Sequence, residues 1–225
     1  MNRRNIEANP LLDQFSSYLS KIDEYLAREL DLYSWSEFYT PLRYASEGGK
    51  RIRPLILVLS AETISSNKRL TTEVKEDMFL ASCAIELLHT ESVIHDDIID
   101  KEDYRRGKPS FHIKYGYNSS ILTADFVLGI ILNIITKLNN AKISAELSKA
   151  ATKMSEGEMM EIKLTKDLIL KDDDYIKVVE NKTASLFEAA SKIGSLLGEG
   201  TDEEISAMGN FGNLLGIAYQ IHDDI

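Results

Sequence analysis

The chain has 225 residues, of which 44% are hydrophobic and 28% charged, so it is long enough for one domain with a substantial core and too apolar for a disordered tail. Its formal net charge of -10 opposes general attraction to nucleic acid or anionic lipid and leaves local basic clusters as the places where an anion would bind. The single cysteine, Cys83, excludes an intrachain disulfide, no Cys/His spacing suits zinc, and the thiol lies in an apolar run, as expected of a core residue in a reducing compartment.

The N-terminal MNRRNIEANPLLDQF lacks the apolar segment of a secretory signal, so a cytoplasmic location is expected. Pro10, Pro41, Pro54 and Pro109 each sit beside an apparent boundary, and between them apolar residues recur every three or four positions. Helices are predicted over 11–30, 52–64, 72–100, 119–138, 143–164, 173–197 and 202–225. No segment alternates with the period of a strand, and no repeat or long linker divides the chain. A single all-α domain over residues 1–225 follows.

Ahead of the second helix, EGGKRIRP places Lys50, Arg51 and Arg53 in a turn and a helix start, with Pro54 suited to the first turn. Backbone N–H groups and cations there favour an anion. A nucleotide-binding GxxxxGK[ST] loop is excluded, because Arg51 follows Lys50. Lys50 and Arg53 have the spacing of one helix face; a basic helix start exposed to solvent is the competing reading and suits Arg51 better than that pair.

On the helix predicted over 72–100, a rotation of about 100° per residue brings His89, Asp96 and Asp100 into one sector, with Ser92 beside them and Asp97 to one side. Carboxylates one turn apart repel, so a positive partner is expected between them. Hard oxygen ligands suit Mg²⁺, which is usually held by one or two carboxylates together with substrate phosphates. The alternative is a solvated acidic helix end, but the apolar neighbours of Asp96 and Asp97 speak for a built site. In the following YRRGKPS, Arg105, Arg106 and Lys108 flank a turn at Gly107 and Pro109. Guanidinium groups grip phosphate oxygens bidentately; a loop that only balances Glu102 and Asp103 is the competing reading.

The 121–135 stretch falls short of a membrane span and carries Asp125, so it is predicted to be a core helix and nothing is expected to cross a bilayer. Farther on, NKTASLF sets Lys182 and Thr183 within an apolar helix, where a lysine either snorkels outward or faces a cavity and holds a departing anion. In GNFGNLLGIAYQIHDDI, Gly209, Gly212, Gly216, Gln220 and Asp223 share one sector, with Asp224 about 100° round. Each interior glycine costs about 1 kcal/mol relative to alanine, which calls for close packing or for room beside a bound chain. Asp223 and Asp224 read as a second carboxylate pair facing the first, with an exposed helix end as the alternative.

Taken in order, GGKRIRP, LLHTESVIHDDIID, RRGKP, NKTASLF and YQIHDD resemble the trans-isoprenyl diphosphate synthases, or polyprenyl synthetases, over nearly the whole chain. The resemblance implies antiparallel helices around a deep central cavity, the isoprenoid synthase fold, usually as a homodimer. It implies a Mg²⁺-dependent prenyltransferase that condenses isopentenyl diphosphate with an allylic diphosphate (dimethylallyl, geranyl or farnesyl). Asp96, Asp97 and Asp100 would form the first aspartate-rich motif, with Asp96 and Asp100 as direct metal ligands, and Asp223 would add a ligand with Asp224 beside it. Arg105 would hold the allylic diphosphate, and Lys50, Arg53, His89 and Arg106 the isopentenyl diphosphate. Lys182, Thr183 and Gln220 would lie near the allylic diphosphate and the developing cation.

Two departures from the family pattern stand out. The second motif normally continues as DDxxD, a lysine-containing loop and further helices, so the C-terminal part of the domain is expected to be missing after DDI. The residues four and five places before the first aspartate help set cavity depth in the family, and here they are Ser92 and Glu91 rather than bulky aromatics. That implies a geranylgeranyl-like product or a longer one. The competing functions are a prenyl synthase-like subunit without catalysis of its own, acting through a partner, and a class I terpene cyclase, which shares DDxxD but needs no isopentenyl diphosphate site.

Overall fold

A computed structural model of the chain describes residues 13–65, 70–165 and 171–225. The predicted helix start at residue 11 and most of the segment read for a secretory signal lie outside them. The helices are α1 (Ser16–Asp31), α2 (Tyr39–Ser46), α3 (Ile52–Ile64), α4 (Thr72–Ile99), the short α5 (Phe111–Tyr115), α6 (Tyr117–Leu138), α7 (Ala141–Leu164), α8 (Asp172–Val179), α9 (Ser185–Leu197) and α10 (Asp202–Asp223). A π-helical turn, Glu180–Ala184, joins α8 to α9.

α4 is central because its sequence offers no polar face over much of its length. From Met78 to Leu88 nearly every residue is buried, and α1, α3, α6 and α9 pack around it. Thr71 starts the helix by accepting a hydrogen bond from the Val74 amide at 3.2 Å. α10 begins on a capping box between Thr201 and Glu204.

Three features depart from the sequence expectations. Helix α2 was not predicted, since Pro41 read as a boundary; it sits instead in the first turn, where its missing N–H costs no bond. The predicted helix over 173–197 is interrupted by the π turn, which periodicity alone does not register. Finally, the YRRGKPS turn forms a minimal antiparallel ladder, β1 (Tyr104–Arg105) with β2 (Lys108–Pro109). Arg106 and Gly107 close it with φ of 54° and 72°, the sign required at both central positions of a tight hairpin.

Helix α6 is long and apolar enough to cross a membrane by length and composition. One side, with Val127, Ile130, Ile131 and Ile134, is in the core, as predicted; Ile121, Leu122, Leu128 and Leu132 are exposed on other sides.

Candidate active site

The chain turns sharply before α3 through Gly48, Gly49 and Arg51, all with positive φ. Arg51 is held there from inside the protein. Its Nε donates to Asp23 at 3.0 Å, Nη1 to Glu86 at 2.5 Å and Nη2 to the Ser46 carbonyl at 2.6 Å. The solvent-exposed reading of Arg51 does not hold: it is a buried tie between α1, α2 and α4. Lys50 precedes the helix and is exposed, so it does not share a helix face with Arg53.

Arg53 lies over the Phe187 ring at 4.8 Å, with Nη1 at 3.4 Å from His89 Nε2, and its buried Nε has no partner. Burial pushes the Arg53 pKa down, against the pull of Glu86, Tyr219 and Asp223. Burial and then the charges of Arg53 and Arg106 push His89 well below its ordinary value, so its ring is neutral. The Arg106 guanidinium rests on Gly49, where a Cβ would stand only 2.8 Å from Nη1. Arg53, His89 and Arg106 thus converge from α3, α4 and the hairpin. This end of the site carries positive charge and a buried donor without a partner, which suits an anion.

Two turns along α4 the sign reverses. Asp96 is pushed up to about 7, chiefly by burial, with Glu158 and Asp100 adding to the shift and Lys182 opposing it. Lys182 turns inward rather than snorkelling: Nζ stands 2.7 Å from Glu158 Oε2 and also pairs with Glu161. Glu158 also acts on Asp96, so Lys182 answers several partly buried carboxylates at once. Gly157 makes this approach possible, since a Cβ there would come within 2.8 Å of Lys182 Cα. Glu158 and Glu161 were not foreseen; the signal was a glycine inside a helical pattern flanked by acids, in SEGEMME.

Asp97 goes elsewhere. It is 2% exposed, and its Oδ1 accepts from Arg105 Nε at 2.7 Å, with Arg105 Nη2 at 2.6 Å. Two residues given separate roles from the sequence are thus partners that fasten the hairpin to α4. Among the described residues, no group of three or more His, Cys, Asp or Glu side chains is arranged as a closed metal cage. Oxygen donors from Asp96 and Asp100, with Glu158 beside them on Lys182, nevertheless fit Mg²⁺, whose remaining positions are filled by water and phosphate.

From the far side, α10 presents the second pair. Asp223 is exposed, and its charge acts on Arg53 and Tyr219. Both oxygens of Asp224 are occupied: Oδ2 accepts from Tyr175 Oη at 2.6 Å and Oδ1 from Gln220 Nε2 at 3.0 Å. Gln220 Oε1 in turn accepts from Thr183 Oγ1 at 2.9 Å. The glycine stripe is explained by packing. A Cβ on Gly212 would stand 2.5 Å from the Phe187 carbonyl oxygen, and one on Gly216 would stand 2.6 Å from Ala184 Cα.

A family pattern described as polyprenyl synthetase matches residues 36–225. The chain belongs to the polyprenyl synthetase family. It is 35% identical over 221 residues to the geranylgeranyl diphosphate synthase of Methanosarcina mazei, covering 96% of this chain and 66% of that one. The geranylgeranyl pyrophosphate synthetase of Pyrococcus horikoshii superposes with a TM-score of 0.84 at 29% identity, over 96% of this chain and 65% of that one. A Caulobacter crescentus polyprenyl synthase, complexed with calcium and isoprenyl diphosphate, gives 0.83 at 25% identity, over 99% of this chain and 66% of that one. The fold is therefore the all-α isoprenoid synthase fold, and the chain spans just under two thirds of the length of these relatives.

In this polyprenyl synthetase the residues ahead of the first aspartates are Glu91 and Ser92. Glu91 Oε1 lies 3.1 Å from His95 Nε2 one turn on, an interaction that raises the His95 pKa. Ser92 Oγ donates back to the His89 carbonyl at 2.9 Å. Glu91 thus has a partner on its own helix, and Ser92 presents no bulk.

Proposed function

We propose that the protein is a Mg²⁺-dependent prenyltransferase that joins isopentenyl diphosphate to an allylic diphosphate (dimethylallyl, geranyl or farnesyl) and releases a longer trans-prenyl diphosphate. One observation carries this reading: the reversal of charge along α4. His89, in a basic cluster, and Asp96, in an acidic one, are two helical turns apart, about 10 Å along the axis. Two diphosphates side by side call for such opposite ends, one gripped directly by cations and the other through a metal.

At the basic end Arg53, His89 and Arg106, with Lys50 at the rim, hold isopentenyl diphosphate. At the acidic end Asp96 and Asp100, with Asp223 from α10, hold Mg²⁺, while Arg105 and Lys182 reach the allylic diphosphate. Bound Mg²⁺ supplies neutralisation of the charge that gathers on the leaving diphosphate. As the allylic C–O bond breaks, its electron pair leaves with the diphosphate. Thr183 and Gln220 place oxygen atoms near the resulting cation, and the surrounding apolar helices keep water away. The isopentenyl double bond then supplies the electrons of the new C–C bond, and loss of a proton to the released diphosphate restores a double bond. A small Ser92 and a Glu91 engaged with His95 support a product of about twenty carbons or longer. The exposed apolar residues of α6 support a homodimer.

Labelled isopentenyl diphosphate incubated with Mg²⁺, the full-length protein and each allylic primer should yield elongated product. A folded protein that elongates no primer sinks the proposal. Asp96→Ala with Asp100→Ala should lower turnover at least about a hundredfold without lowering the unfolding midpoint. Near-normal turnover in that double variant would show that the acidic stripe is structural.

A further inference from the structure

We infer that Tyr175 and Asp224 are positioning residues that set the hydrogen-bond polarity of Gln220 and Thr183, so that Thr183 turns lone pairs rather than a proton toward the bound allylic group. The inference rests on the prenyl-transfer reading and adds to it a pair of residues and a direction.

The chemistry of the partners fixes that direction. An ionised carboxylate only accepts hydrogen bonds, so the Gln220 atom facing Asp224 Oδ1 at 3.0 Å is the amide nitrogen. The Gln220 carbonyl oxygen then faces Thr183 Oγ1 at 2.9 Å and only accepts. The single hydroxyl proton of Thr183 is thereby spent on Gln220, and what remains on Oγ1 is acceptor character. Such an oxygen suits a positive carbon and not a diphosphate oxygen. Thr183 is buried, in the π turn, and the close contact of Gly216 with Ala184 holds α10 against that turn.

Tyr175 completes the device from α8. Its hydroxyl donates to Asp224 Oδ2 at 2.6 Å, which holds the carboxylate with its other oxygen on Gln220. Both Asp224 oxygens are therefore engaged within the protein, whereas Asp223 lies toward Arg53. The two adjacent aspartates divide the work: Asp223 serves the metal and Asp224 orients Gln220.

The test uses Tyr175→Phe, which removes one hydroxyl and keeps the ring. In the full-length protein with Mg²⁺ and inorganic diphosphate, a stable ammonium analogue of the allylic cation should bind about tenfold more weakly to the variant. The affinity for Mg²⁺ and diphosphate without the analogue, and the KM for isopentenyl diphosphate, should stay unchanged. Because the effect runs through Thr183, Tyr175→Phe added to Thr183→Val should bring no further loss. Equal weakening of diphosphate and analogue, or additive losses in the double variant, would overturn the inference. The relay also has a ligand-free readout: Tyr175→Phe should move the side-chain amide resonances of Gln220, and unmoved resonances would overturn it. A wild-type protein that binds neither diphosphate nor analogue while those resonances do move would instead remove the prenyl-transfer reading, and with it the role given to Thr183.

Discussion

Arg51 shows what a single residue decides and why its neighbours in sequence do not reveal it. Its partners Asp23 and Glu86 are 28 and 35 positions away, so nothing local marked it for burial. Arg51→Ala would leave Glu86, only 4% exposed, without its cation, and should cost about 3–5 kcal/mol in urea unfolding. Arg51→Met combined with Glu86→Leu should recover most of that, since it removes the two most buried charges together and leaves only the more exposed Asp23 without its arginine. His89 makes a second residue-scale prediction. Its pKa is lower in the folded than in the unfolded protein, so the folded state binds fewer protons. Stability is unaffected well above the ordinary value of 6.5 and falls as the pH drops below it. His89→Gln should remove that loss, and the stability difference between variant and wild type should grow in the variant's favour from pH 7 to 5.5.

At the scale of elements, the α10 glycines and the π turn act together. The glycine stripe was legible in the sequence, but whether it served packing or a bound chain was not, because periodicity shows which face is small and not what lies against it. Backbone and side-chain atoms of α9 and the π turn lie against it, so Gly212→Ala should destabilise the protein by about 1–3 kcal/mol, measured as a lower midpoint at unchanged m-value. The π turn was not legible. One wide turn shifts the apolar pattern by too little to show, yet it is the segment that places Lys182 on the acids of α7 and Thr183 on Gln220.

For the whole molecule, α6 matters most. Its sequence read as a core helix, and one side is buried, while Leu128 and Leu132 are 43% and 56% exposed. If a second copy covers them, as proposed, Leu128→Glu with Leu132→Glu should convert a dimer to a monomer in sedimentation velocity with helical content retained. A wild-type protein already monomeric at micromolar concentration would contradict the homodimer.

The sequence by itself determined the all-α class, most helix spans and the residue types of the site, because helical periodicity and short motifs are local properties. It also marked the acids on α4 and the cations before α3, since charges among apolar residues stand out in one dimension. Only the tertiary structure decided how those charges are shared. It put Asp97 on Arg105, brought Glu158 and Glu161 to Lys182, and used both oxygens of Asp224 on Tyr175 and Gln220. The physical reason is that an ionic or hydrogen-bonding group takes the partner nearest in space, and packing between helices distant in sequence sets which one that is.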